Sequence, residues 1–168
     1  MRYTFLIAVV SCILLFGCST AYESTDESAT DPAPAVATFT DEDVLKIAAD
    51  DRAFEEAFNN ADLDAILAFY AEDAVVLAFG GPPIHGRPAI REFFSSLPPV
   101  KDLTLVEHEL VGFGDYLYQR GTISMTLMLP DGEEKPFKGN FLVTRERQSD
   151  GTWLYTNDMF SEETPPAE

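Results

Sequence analysis

The chain has 168 residues, 46% of them hydrophobic and 12% aromatic, with 29 acidic against 11 basic side chains and a formal charge of −18. This is one domain's length with enough apolar content for a packed core, which excludes a disordered or fibrous chain. The scarcity of Lys and Arg excludes nucleic-acid recognition and docking on anionic lipid headgroups, both of which rest on basic side chains.

The chain begins Met1-Arg2, and Phe5 to Phe16 is an almost unbroken apolar run. That run is as long as a signal-peptide core and too short to span a bilayer, which needs about 20 residues. It ends in Leu15-Phe16-Gly17-Cys18, which resembles the bacterial lipobox, apart from a larger residue than usual at Phe16. The resemblance implies a signal peptide over 1–17 and lipidation of Cys18 as the mature N-terminus. Cys12 falls in the removed segment, so no internal disulfide is expected. Residues 18–40 then read as the lipidated Cys and a flexible Ser/Thr/Ala/Pro/acidic linker. Acyl chains contribute about 0.8 kcal/mol per buried CH₂, so the anchor holds without a basic patch. Ser19 after the Cys favours the outer membrane of a two-membrane bacterium, with the domain facing the periplasm.

The domain is expected over 41–160, with a disordered tail over 161–168. Thr40 followed by Asp43 signals a helix start. Val44, Ile47, Ala48, Phe54 and Phe58 share one helical face, interrupted at Asp51. Asn59-Asn60-Ala61-Asp62 breaks the pattern, and Leu63, Ile66, Leu67 and Tyr70 restart it at helical spacing. Ala74 to Phe79 reads as a strand bounded by Gly80-Gly81-Pro82-Pro83. Pro88 suits the first turn of a third helix, whose apolar positions are Ile90, Phe93, Phe94 and Leu97.

The period then changes to that of strands. Leu103–Val111, Tyr116–Leu129, Pro136–Arg147 and Thr152–Phe160 are β-rich runs separated by Gly112-Phe113-Gly114-Asp115, Pro130-Asp131-Gly132 and Ser149-Asp150-Gly151, each a tight-turn composition. The fold class is α+β, a curved antiparallel sheet wrapped around N-terminal helices.

The motifs Asn59-Asn60-Ala61-Asp62-Leu63-Asp64-Ala65-Ile66, Tyr70-Ala71-Glu72-Asp73-Ala74-Val75, His85-Gly86-Arg87-Pro88-Ala89-Ile90 and Asp150-Gly151-Thr152-Trp153 together resemble the SnoaL-like and ketosteroid-isomerase-like branch of the nuclear transport factor 2-like superfamily. The resemblance implies a cone with an apolar pocket between sheet and helices, and a homodimer through the sheet's outer face. It does not fix a function.

Ketosteroid isomerases use an Asp base and an oxyanion hole of a Tyr and a protonated Asp. The resemblance places the oxyanion Tyr at Phe54, the base at Ala78 and the second Asp near Gly139, so chemistry by that mechanism is not expected. His108 shares its strand parity with Thr104, Val106 and Leu110, which points it inward as a candidate acid or base; Glu107 and Glu109 then face outward. Asp158 shares parity with Leu154, Thr156 and Phe160, at a place where relatives often carry an acid. Buried there, it would have a raised pKa or a paired donor such as Tyr70 or Arg120. The resemblance sets His85 near the pocket mouth. Two His and no Cys in the domain give no metal pattern, and no cofactor is expected. The resulting expectation is a lipid-anchored envelope protein whose cone binds a small hydrophobic molecule or serves as a dimeric interaction module. The alternative is a SnoaL-like isomerase, cyclase or dehydratase acting through Asp158 or His108.

Overall fold

The computed structural model describes residues 37–78 and 80–163, and the features below are those of these residues. The expected signal peptide, Cys18, most of the linker, Phe79 and the end of the tail lie outside them. The elements are α1 (Asp41–Asn59), α2 (Leu63–Ala68), β1 (Tyr70–Leu77), β2 (Ile84–His85), α3 (Gly86–Ser96), β3 (Val100–Phe113), β4 (Tyr116–Met128), β5 (Glu134–Arg147) and β6 (Trp153–Glu162). No described helix is long and apolar enough to cross a membrane.

The start of α1 is fixed by a capping box in which Thr40 and Asp43 satisfy each other's backbone. Asp41, Glu42 and Asp43 in the first turn also suit the positive end of the helix dipole. Asp43 does more than cap, since its carboxylate accepts from Trp153 Nε1 at 3.2 Å and from Arg147 at 3.0 Å. Burial would raise the Asp43 pKa; the bonds from Thr40, Trp153 and Arg147 more than offset it and hold the carboxyl below its usual value. The buried face of α1 is Asp43, Ile47, Phe54 and Ala57. Val44, expected on that face, is exposed. It sits one residue past Asp43, whose bonds to Trp153 and Arg147 turn that position toward the sheet.

Helix α2 is capped by Asp62, whose side chain accepts from Ala65 N–H at 3.0 Å. It stops at Ala68, so Tyr70 opens β1 and is not the last turn of a helix as its spacing suggests. The strand absorbs Tyr70 because Phe69 C=O accepts from Tyr155 N–H, and Tyr70 then pairs in parallel with Tyr155. Ile90 of α3 is fully buried, and Phe93 and Phe94 pack on the same core.

The four long strands form the expected meander, joined at one edge by β1 and the two-residue β2 in the order β2-β1-β6-β5-β4-β3. The β1–β6 pair is parallel, a long-range pairing that turn composition does not encode. Ser161 and Glu162, expected in the tail, instead extend β6 against Asn140 and Gly139 of β5. At the other edge, α1 occupies backbone groups of β3 that an edge strand leaves open. Asn59 bonds both N–H and C=O of Leu103, and Glu55 accepts from Leu105 N–H at 2.6 Å. These three bonds hold α1 across the concave face of the sheet.

The linker's last residues belong to the folded body. Phe39 packs edge-on against Trp153 with ring centroids 5.7 Å apart, and Arg147 donates to Thr38 C=O at 3.2 Å. A Cβ on Gly112 would lie 2.1 Å from the Phe39 ring. Gly112→Ala is therefore expected to cost about 1–3 kcal/mol by overpacking. With Phe39 already alanine the same change should cost under about 0.5 kcal/mol. Urea melts of the four proteins check this, and equal costs in both backgrounds would show that Gly112 does not hold Phe39 in place.

Candidate functional site

The concave face of the sheet and the inner faces of α1 and α3 enclose a cavity. Phe54 and Phe58 come from α1, Phe94 from α3, and Leu97 follows α3. Leu103 and Leu105 of β3, Ile123 and Met125 of β4, and Phe141 and Val143 of β5 line the sheet side. Its volume of about 60 Å³ is smaller than the roughly 150 Å³ void that holds a benzene. A groove of about 220 Å³ adjoins it, walled by the same Phe58, Phe94, Leu97 and Val100 side chains and continued by Pro98 and Pro99.

Asp158 is the charged residue of this lining. It faces inward beside Tyr155 and Phe160, not with Leu154 and Thr156 as parity suggested. The register of β6 against β5 slips between Thr144 and Arg145, so that two steps on β6 oppose one on β5, and the extra residue reverses the alternation. Tyr70 donates its hydroxyl to Asp158 Oδ2 at 2.5 Å, whereas Arg120 pairs with Glu109 on the outer face. Among the described residues no donor reaches the other oxygen, Oδ1. Burial pushes the Asp158 carboxyl up to about 6, opposed by the Tyr70 bond and by the charge of Arg145. Burial and the adjacent carboxylate also push the Tyr70 phenol well above its usual value. Asp158 is therefore poised to exchange a proton near neutral pH, and Tyr70 to keep its own.

Behind Tyr155 lies a polar cluster that sequence reasoning did not assign. Arg145 is 1% exposed and stacks its guanidinium 4.3 Å from the Tyr155 ring centre. Its Nη2 donates to Asp51, to Gln119 Oε1 at 3.1 Å and to the Tyr155 hydroxyl at 2.7 Å. Gln119 donates in turn to Asp51 at 2.5 Å and to Glu107 at 3.0 Å. Burial works against the Arg145 charge, but Tyr155 and Asp51 more than offset it and hold the pKa above its usual value. Asp51 is thus the reason for the break in the apolar face of α1. The signal was available: Phe137, Phe141 and Val143 put Arg145 on the inward parity of β5, and Asp51 carries the opposite charge on a face otherwise turned inward.

The other candidates are not brought together with Asp158. His108 is exposed on the outer face, in a shallow depression with Arg120, Asn140 and Met159. Its expected inward orientation fails because Leu103 and Leu105 face the chamber, and alternation then puts Thr104, Val106 and His108 outward and Glu107 inward, where it reaches Gln119. The register slip between Glu107 and Glu109 brings Leu110 to the inner side and leaves His108 outside. His85 is exposed in β2 opposite Val75, at the N-terminus of α3, and does not line the cavity. Phe54 does line it, as a hydrocarbon where the isomerases carry a Tyr. Ala78 does not line it, and at Gly139 a Cβ would lie 2.0 Å from Ser161 C=O, so this backbone admits no carboxylate there. Among the described residues no three His, Cys, Asp or Glu side chains converge as a metal-binding group.

A family description, the SnoaL-like domain, matches residues 51–155. Among solved structures, a ketosteroid isomerase-like protein from Erwinia carotovora atroseptica is 25% identical with a TM-score of 0.67, over 75% of this chain and 100% of that one. A putative aromatic ring hydroxylase from Novosphingobium aromaticivorans is 26% identical with a TM-score of 0.67, over 76% of this chain and 94% of that one. A putative dehydratase of the NTF2-like family from Streptomyces avermitilis, 16% identical over 74% of this chain and 99% of that one, has a TM-score of 0.65 and shares the fold. No curated protein matches the chain. The architecture is the nuclear transport factor 2-like cone.

Proposed function

Because the chain belongs to the SnoaL-like domain family, we propose that its cone is a binding chamber for a small hydrophobic molecule, carried on a lipid-anchored, dimeric protein of the cell envelope. The observation that carries this reading is the chamber itself, apolar on every wall except at Asp158. Such a site gains affinity from burial of apolar surface and orientation from its few polar groups. The anchor is supported by the lipobox-like Leu15-Phe16-Gly17-Cys18, and outer-membrane placement by Ser19. The dimer is supported by the outer sheet face, which exposes Val106, Phe113, Tyr116 and Met159.

A second reading, an enzyme of SnoaL-like type, is favoured by one observation, the carboxyl of Asp158 raised to about 6 in an apolar chamber. His108 and His85 take no part in it.

Native mass spectrometry of residues 37–168, which keep Phe39 and the Thr40 cap, tests the first reading. The expected spectrum is a dimer that releases a discrete small molecule on mild unfolding, and a monomer that retains nothing speaks against it. The released molecule is then incubated with the protein. A binding chamber returns it unchanged, whereas an enzyme converts it and loses roughly 10²- to 10⁴-fold of that turnover in Asp158→Asn.

A further inference from the structure

We infer that the chamber selects a small hydrophobic cation, an alkyl- or arylammonium whose charged end meets Asp158 Oδ1 among aromatic rings while its tail follows the groove past Phe58, Phe94 and Leu97. This deepens the binding reading and rests on it. Phe54, Phe58, Phe94, Phe141, Tyr155 and Phe160 all line the chamber, and aromatic faces attract ammonium groups more strongly than they attract neutral isosteres. Oδ2 is occupied by Tyr70, which leaves Oδ1 as the acceptor toward the chamber. The chamber's small volume and the wider groove beyond it suit a compact head and a longer tail.

The charges around Asp158 support the sign. Arg145 of β5 is the cation near it, and Asp51 of α1 neutralises Arg145 through a direct ion pair. Tyr70 of β1 and Tyr155 of β6 are held neutral by burial. The lining from α3, β3 and β4 is apolar, so Asp158 is the chamber's one charged side chain, and Arg145, already paired with Asp51, offsets it only in part. The chain's charge of −18 adds a field that draws cations in and repels carboxylates.

Isothermal titration of the full chain, free of signal peptide and lipid, with isopentylammonium, isopentanol and isovalerate tests the inference with one carbon skeleton in three charge states. At pH 7.5 the ammonium should bind at least tenfold more tightly than the alcohol, with isovalerate weakest. Asp158→Asn keeps an acceptor for the Tyr70 hydroxyl and should bring ammonium and alcohol within about threefold of each other. In the unaltered protein, ammonium affinity should fall between pH 7 and pH 5 as Asp158 takes up its proton, with the alcohol unchanged. Equal binding of alcohol and ammonium overturns the cation inference and keeps the hydrophobic chamber. Binding of none of the three overturns both.

Discussion

Arg145→Met is expected to destabilise the protein by about 3–5 kcal/mol, the usual cost of leaving one member of a buried ion pair without its partner. The side chain is essentially buried and holds Asp51, Gln119 and the Tyr155 hydroxyl at once. Methionine replaces its volume but returns none of these bonds, and Asp51 stays beneath α1 with only Gln119 to answer it. Losses of this size lie near a third of a typical domain's stability, and a fall in Tm of roughly 10–20 °C follows. Arg145→Lys should fall between the two proteins, since a shorter ammonium keeps the charge opposite Asp51 but loses the flat guanidinium stacked on the Tyr155 ring. Removing both charges, as Asp51→Leu with Arg145→Met, should recover much of the loss, because a matched apolar pair leaves no uncompensated charge. Urea unfolding with unchanged m-values checks the series, and a cost below about 1 kcal/mol for Arg145→Met would show that water already reaches the pair.

Much of the fold is legible along the chain because its signals are local. The four long strands are bracketed by Gly/Asp/Pro turns, and each falls within a few residues of its expected limits. The Thr40–Asp43 box marks the start of α1 although Asp stands where Glu or Gln is usual. What local signals miss is pairing between distant segments. The parallel β1–β6 ladder takes Tyr70 out of helical spacing, and register slips in β3 and β6 interrupt the alternation next to His108 and Asp158, with Asp158 inward as its apolar neighbours imply and His108 outward. In β3 the slip separates Leu110 from the outward face of Thr104, Val106 and His108, and in β6 it sets Asp158 beside Tyr155. The Asp51–Arg145 pair spans 94 positions, so neither residue explains the other until helix and sheet are laid together. Where no slip intervenes, parity is a sufficient guide: strict alternation through β4 sends Tyr116 and Tyr118 to the outer face and Met125 into the chamber.

Asp158→Asn is expected to stabilise the protein above pH 6 while removing the chamber's charge. The carboxyl titrates near 6 in the fold against 3.8 as a free side chain. Between those values the folded protein holds a proton that the unfolded chain has released. Stability therefore falls as pH rises through this window and levels off above it, with a deficit of about 3 kcal/mol from this one group. Asparagine keeps the Tyr70 hydrogen bond and does not ionise, so the variant should match the native protein below pH 4 and exceed it by that amount at pH 7.5. Asp43 behaves with the opposite sign. Its lowered pKa contributes stability that is present above its free value and is lost on acidification, and because both proteins share it, it cancels in the difference. Chemical denaturation at half-unit intervals from pH 4 to pH 8 gives the difference curve directly. A flat curve would mean that Asp158 is solvated in the fold and exerts no strain. A rising one identifies a carboxylate that the fold keeps at a cost in stability, the pattern of a residue retained for what it binds or transfers and not for what it holds together.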